Sequence, residues 1–144
     1  MSSDGDRLIF LSLKPKYAQA IVGGSKTIEL RRQPPRIHAP TKAVLYASSP
    51  QRVVVGRCTV TAVVELAPEA MWQEFGSLAG ISQAEFESYF VGKLRTYGLL
   101  LADVEALDDA VSLEVLRSKF EGFTPPQNFR YFPISALDDL TGTS

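Results

Sequence analysis

Three charged side chains lie close together in the stretch Gly24-Ser25-Lys26-Thr27-Ile28-Glu29-Leu30-Arg31. In a strand, residues of like parity share one face, so Glu29 and Arg31 would point the same way, roughly 7 Å apart. A carboxylate beside a planar guanidinium can bind a polar, planar ligand, and Lys26 can neutralise a phosphate. The pattern predicts either a binding site on this face or a plain ion pair on the sheet surface.

Catalysis by the same side chains is a second possibility. Lys26 and Glu29 could serve as acid and base in the hydrolysis of RNA. The chain has one histidine, His38, and one cysteine, Cys58, which are too few for a dedicated zinc site. We therefore predict no metal and no cofactor, and we place binding ahead of catalysis.

Three further residues are candidate ligand contacts. Tyr46 and Ser48 share one face of the alternating segment Lys42 to Ser48, where the tyrosine ring could stack on a base. Gln127 follows two prolines, which hold the preceding chain extended. Its amide could read the edge of a base, or it could cap nearby backbone groups.

A short helix is predicted from Pro15 to Gly23-Gly24. Proline suits the first helical turn, and glycine adopts the left-handed C-cap conformation without a steric clash. This helix would present Lys14 or Lys16 at the mouth of a cleft, or both lysines could be solvated. We take Lys16 as the candidate.

Apolar and alternating segments predict the strands that position these residues. Besides the charged stretch, they are Leu8 to Leu13, Lys42 to Ser48, Arg52 to Leu66 and Tyr97 to Leu107. Gly56 is a natural place for a bulge that curls the sheet. In the last strand we expect Leu100, Ala102, Val104 and Ala106 to face the core.

Helices are predicted between and after these strands. One begins at Pro68, and another runs over roughly Ser112 to Phe120. A third runs from Gln83 to about Leu94, because Ser82 and Glu85 form a capping box.

Composition and charge bound the remaining possibilities. The 144 residues are 45% hydrophobic and 22% charged, which is typical of one globular domain over residues 1–144, with an ordered core at about 8–140. The formal net charge is −1, so contact with nucleic acid would need a local basic patch. A polar, acidic N-terminus and no apolar run of about 20 residues predict neither a signal peptide nor a membrane span. A cytoplasmic location is expected, and the oligomeric state stays open.

The charged stretch resembles the G-x-K-T-x-E-x-R signature of the ASCH domain family, a member of the PUA-like superfamily. The segments Pro15 to Ala18, Leu45 to Pro50, Val55-Gly56 and Pro125 to Phe129 also resemble the family. The resemblance implies an α+β fold: a small, mixed, curled β-barrel of about five to six strands with three to four helices packed around it. It also implies that Lys16, Lys26, Glu29, Arg31, Tyr46, Ser48 and Gln127 surround one charged cleft.

Such a cleft implies a module that binds RNA or a nucleotide-like small molecule, with a regulatory role, such as in transcription, as a further expectation. The alternative is a small hydrolase. Some ASCH proteins hydrolyse N4-acylcytidine with the signature lysine, a threonine at the position of Glu29 and a carboxylate that falls near Gly80; this chain has neither of the last two. Ribonuclease activity is also associated with the fold, and a domain with a vestigial cleft is the third possibility.

Overall fold

The computed structural model describes residues 7–143, so the acidic N-terminal residues considered above lie outside the described range. Its strands are β1 (Arg7–Leu13), β2 (Ile28–Arg31), β3 (Thr41–Ala47), β4 (Val53–Leu66), β5 (Thr96–Ser112) and β6 (Phe129–Pro133). Its helices are α1 (Pro15–Gly23), α2 (Pro68–Phe75), α3 (Gln83–Tyr89), α4 (Leu113–Lys119) and α5 (Leu137–Thr141). This mixture confirms the predicted α+β class.

The six strands form one mixed sheet in the order β2-β5-β4-β3-β1-β6. β1 pairs in parallel with β3, and the other neighbours pair antiparallel. Within residues 7–143, β2 and β6 are the two edges and do not pair with each other, so the predicted curled β-barrel is not confirmed. Five α-helices are present in this range instead of three to four, because the segment after β6 forms the further helix α5.

The long pairing of β4 with β5 is irregular. Its register shifts between Val54 and Gly56 and at two later points, as expected for a bulge at the glycine. A Cβ atom at Gly56 would lie 2.8 Å from the backbone oxygen of Glu105. Glycine therefore permits a close approach of two backbones at the point where the sheet bends.

The same irregularities explain an error in our prediction for β5. The expected inward set was Leu100, Ala102, Val104 and Ala106. In the structure Leu99 and Leu101 are buried, whereas Ala106 is exposed. Each bulge places one extra residue on a strand and changes which parity faces the core, and simple alternation cannot reveal this.

Helix α3 begins where its capping box predicts. The hydroxyl of Ser82 accepts a hydrogen bond from the Glu85 N–H, and the Glu85 carboxylate accepts one from the Ser82 N–H. The helix ends at Tyr89 and does not reach Leu94. Gly92 adopts a φ of 77°, which turns the chain before β5.

Three apolar clusters cover the sheet. Odd-numbered residues of β1 and β3 pack with α1 in the first cluster. Even-numbered residues of the same strands pack with α4 and α5 in the second, and β2 packs with α2 and α3 in the third. Within residues 7–143, no helix has the length and apolarity that crossing a bilayer requires.

We expect Gly56→Ala to lower the free energy of unfolding by about 1–3 kcal/mol, because the added Cβ meets a backbone atom that cannot move aside easily. Gly23→Ala is the matched control, since nothing lies within 4 Å of a Cβ built there. In a helix that control should be neutral or slightly stabilising. Urea denaturation of both variants measures the difference, and equal stability of the two would contradict this account of the bend.

Candidate functional site

The signature stretch begins as the end of a helix and only then becomes a strand. Gly24 closes α1 with a φ of 90°, and the N–H groups of Ser25 and Lys26 both donate to the carbonyl of Ala20. The predicted C-cap is therefore confirmed. The strand itself covers only Ile28–Arg31, so Lys26 stands just before it.

Glu29 is the centre of a buried ion network. One carboxylate oxygen lies 3.2 Å from Lys26 Nζ, and the other accepts a hydrogen bond from Arg31 Nη2 at 2.7 Å. Lys26 is only 2% exposed, and Glu29 and Arg31 are each 6% exposed. Buried charges are tolerated only when they are paired and hydrogen-bonded, and this carboxylate is paired through both of its oxygens.

Arg31 also bridges the gap at the open side of the sheet. Its Nη2 donates to the backbone oxygen of Ser12 in β1, and its Nη1 donates to that of Asn128 just before β6, both at 3.2 Å. The edge strand β2 thus reaches the β1–β6 pair through a side chain instead of a backbone ladder. The Arg31 Nε is buried and has no hydrogen-bond partner within the described residues.

Lys26 is held from the opposite side by the segment before α3. Its Nζ donates to the backbone oxygen of Ala79. The next residue, Gly80, has a φ of 66°, and a Cβ there would lie 3.0 Å from Lys26 Cβ. Gly80, near which the resemblance implies a carboxylate for acylcytidine hydrolysis, therefore lies against the signature lysine.

The network forms the floor of a pocket of about 620 Å³. The lining is drawn from β1, α1, β2, α3 and the segment before β6. Four basic side chains and two acidic ones line it, although the whole protein has a net charge of −1. The four basic residues are Lys14, Lys26, Arg31 and Arg32. This local excess of basic side chains is the patch that contact with nucleic acid would need in a chain of net charge −1.

One wall of the pocket joins α1 to α3. The Glu85 carboxylate accepts hydrogen bonds from Lys16 Nζ at 2.9 Å and from the Tyr17 hydroxyl at 3.1 Å. These hydrogen bonds lower the pKa of Glu85 to about 2; the bond from Lys16 has the largest effect, and the one from the Ser82 N–H has the second largest. Because this pKa is depressed, the interactions are complete above the ordinary value of 4.5 and weaken as the pH falls towards 2.

Tyr89 of α3 contributes an aromatic ring to the pocket lining. The guanidinium of Arg32 lies 4.3 Å from the centroid of this ring, a cation–π contact at the edge of the pocket. Burial raises the pKa of the Tyr89 hydroxyl, so it stays protonated at neutral pH. The pocket therefore combines basic groups with aromatic and amide groups.

The structure brings four of the seven predicted binding residues into the lining: Lys26, Glu29, Arg31 and Gln127. Lys16 is exposed and reaches the pocket through its ion pair with Glu85, a lining residue. Lys14, the alternative to Lys16 at the mouth of the cleft, lines the pocket itself.

Tyr46 and Ser48 are not part of this lining. Tyr46 is 1% exposed and packs on Phe10 in the second apolar cluster, with the two ring centroids 5.4 Å apart. Its parity was correctly predicted, but the face it shares with Val44 packs on helices α4 and α5. A pocket role for these two residues therefore finds no support in this geometry.

Two aromatic residues of the pocket, Tyr17 and Tyr89, were not among the predicted binding residues. Both are half-buried, with one side in the helix packing and the other at the pocket. The capping box places Glu85 in the first turn of α3, but no sequence pattern indicates that this turn faces α1.

Among residues 7–143 there is no group of three or more His, Cys, Asp or Glu side chains able to hold a metal ion.

An open six-stranded sheet with a buried ion network at one edge strand defines a small α+β domain with a charged pocket. The chain belongs to the ASCH domain family, whose model matches residues 11–107. It is 31% identical over 121 residues to the ASCH domain-containing ribonuclease of Zymomonas mobilis, an alignment that covers 84% of this chain and 81% of the relative.

Solved structures agree with this assignment. The crystal structure of ASCH from Zymomonas mobilis matches with a TM-score of 0.87 at 28% identity, over 93% of each chain. A serine-to-alanine mutant of the Zymomonas protein matches with a TM-score of 0.89 over 98% of each chain. The N-terminal domain of Staphylothermus marinus McrB shares the fold alone, with a TM-score of 0.59 at 12% identity over 95% of this chain and 94% of that chain.

We expect Glu29→Ala to lower the free energy of unfolding by about 3–5 kcal/mol, because it leaves Lys26 and Arg31 buried without their counter-charge. The control is Glu65→Ala, whose partner Arg95 is 52% exposed; its expected loss is at most about 1 kcal/mol. Chemical denaturation of both variants measures the losses. A Glu29 variant no less stable than the Glu65 variant would show that the network does not hold the fold.

Proposed function

We propose that this ASCH domain binds RNA, with one nucleotide seated in the pocket above the Lys26–Glu29–Arg31 network. The observation that carries the proposal is the charge of the floor, where two buried cations share a single carboxylate. The floor therefore keeps one uncompensated positive charge in a partly desolvated place. An anionic group such as a phosphate complements it.

The rim supports a nucleotide in preference to a simple anion. Tyr17 and Tyr89 present aromatic surface, and bases stack on such surface without regard to sequence. Gln127 is exposed, and its amide makes no hydrogen bond within residues 7–143. A free amide carries both donors and an acceptor, which suits it to the edge of a base.

The buried network is a poor target for testing binding, because loss of Glu29 is expected to destabilise the protein and would confound a measured loss of affinity. Gln127→Ala avoids the problem, since this side chain is exposed at the pocket. We expect weaker binding by about 1–3 kcal/mol if the amide contacts a base edge. The measurement is fluorescence anisotropy with a labelled single-stranded RNA of ten nucleotides, in titrations of the wild type and the variant.

Gln51→Ala is the matched control, because Gln51 is an exposed glutamine outside the pocket lining. It should bind RNA as the wild type does. If the wild type binds neither the RNA nor any of the four nucleoside monophosphates, the proposed function is wrong. If both glutamine variants bind like the wild type, Gln127 is not a contact.

RNA hydrolysis is the second candidate function, and it is favoured because the Zymomonas relative is known as a ribonuclease. In such a reaction the ribose 2′-hydroxyl attacks the adjacent phosphorus and the 5′-oxygen leaves, which gives a 2′,3′-cyclic phosphate. A base must take the proton of the 2′-hydroxyl, and an acid must protonate the leaving oxygen. The candidate pair in this chain is Glu29 with Lys26.

The geometry supports binding more directly than proton transfer by this pair. Both oxygens of Glu29 are already engaged by cations, and Lys26 also donates to Ala79. Either group would have to leave an existing partner before it could exchange a proton. The acylcytidine alternative has less support still, since Gly80 stands against Lys26 where that chemistry needs a carboxylate.

Lys26→Met tests the catalytic role of the pair, because it keeps the length of the side chain and removes its proton. If the pair is catalytic, cleavage should fall by about 10²-fold or more, as for loss of an acid or base. The readout is gel analysis of a labelled RNA, with a 2′-deoxy substitution at the cleaved position as the chemical control. Circular dichroism checks the fold; undiminished cleavage by folded variant protein would exclude Lys26 as the acid.

A further inference from the structure

We propose that Arg36, on the loop between β2 and β3, binds the phosphate of a nucleotide next to the one in the pocket, so that the protein takes an RNA strand in preference to a free nucleotide. This inference rests on the proposed function and names its ligand class. The Arg36 side chain is not part of the pocket lining. Neither the ion network nor the pocket wall uses it.

The backbone of Arg36 is fixed while its side chain is available. Its N–H donates to the hydroxyl of Tyr131 at 2.6 Å, and its carbonyl oxygen accepts from Arg7 Nη2 at 2.7 Å. The side chain is exposed, and its guanidinium makes no hydrogen bond or ion pair within residues 7–143. A guanidinium on a fixed backbone loses less conformational freedom on binding than one on a loose loop.

The loop connects Arg36 directly to the pocket. Arg32 lines the pocket and lies over the ring of Tyr89. Three residues separate the two arginines in sequence, so their Cα atoms, four positions apart, are at most about 14 Å from each other. The intervening Pro34 and Pro35 restrict the backbone, and Pro35 is buried. The two arginines are therefore held as a short basic strip that starts at the pocket.

The charge of this region favours a polyanion. Between Glu29 and Glu65 the sequence has six lysine and arginine residues and no aspartate or glutamate. This contrasts with a net charge of −1 for the whole chain. No acidic side chain of this loop competes with a phosphate for Arg36. An RNA strand satisfies both features, because a base can enter the pocket while the neighbouring phosphate meets the arginine.

The test compares Arg36→Ala with wild type on two probes, the labelled ten-nucleotide RNA and the nucleoside monophosphate that binds the wild type most tightly. We expect the affinity for RNA to fall about twofold to fivefold, as for one exposed ion pair, and the affinity for the monophosphate to stay unchanged. The slope of log affinity against log salt concentration should become shallower by about 0.7, since one phosphate contact on a single strand is lost. Arg36→Lys keeps the positive charge, so its RNA affinity and salt slope should be close to those of the wild type.

Lys119→Ala is the control, because it removes one exposed positive charge from α4, outside the pocket lining and the 32–36 loop. It should leave the RNA affinity and the salt slope as in the wild type.

Equal RNA binding by wild type and Arg36→Ala overturns the inference and leaves the pocket proposal standing. Equal weakening by the Lys119 variant also overturns it, since the effect would then be one of net charge. If the wild type binds neither probe, both proposals fail. Tighter binding of an acidic peptide than of RNA would assign the strip to a protein partner.

Discussion

The Glu29 carboxylate is the group on which the pocket depends, because it is the shared counter-charge of two buried cations. Removal of Glu29 would leave two buried cations without a counter-charge, whereas removal of either cation would still leave a one-to-one ion pair. The network also ties separate parts of the chain together. Lys26 connects it to the segment before α3. Arg31 connects it to Ser12 in β1 and to Asn128 just before β6. The same contacts that stabilise the fold therefore shape the pocket.

Local signals in the sequence predict most of the helices and strands, and they predict which face of β2 carries the charged side chains. The cap at Gly24, the capping box at Ser82 and the bulge at Gly56 each depend on one or two neighbouring residues, and all three are observed. The shared parity of Glu29 and Arg31 likewise places both in the pocket. These features need no knowledge of the tertiary structure.

Features that arise from long-range packing could not be predicted in this way. Tyr46 lies on the predicted face of β3, but helices α4 and α5 cover that face, and strand alternation gives no information on which helix covers which face. The open edge of the sheet is another example. The alternation in β4 is compatible with a closed barrel. In the structure the sheet is open beside β2, and the Arg31 side chain spans this gap by donating to backbone oxygens that are distant in sequence.

The bridge made by Arg31 has a consequence for the order of assembly during synthesis. Its partner Asn128 lies 97 residues further along the chain. A nascent polypeptide on the ribosome that has not yet exposed this asparagine lacks one of the acceptors that hold the guanidinium in place. The pocket is thus complete only after residue 128 has been synthesised, and a product terminated before that residue would carry the family signature without the finished cavity.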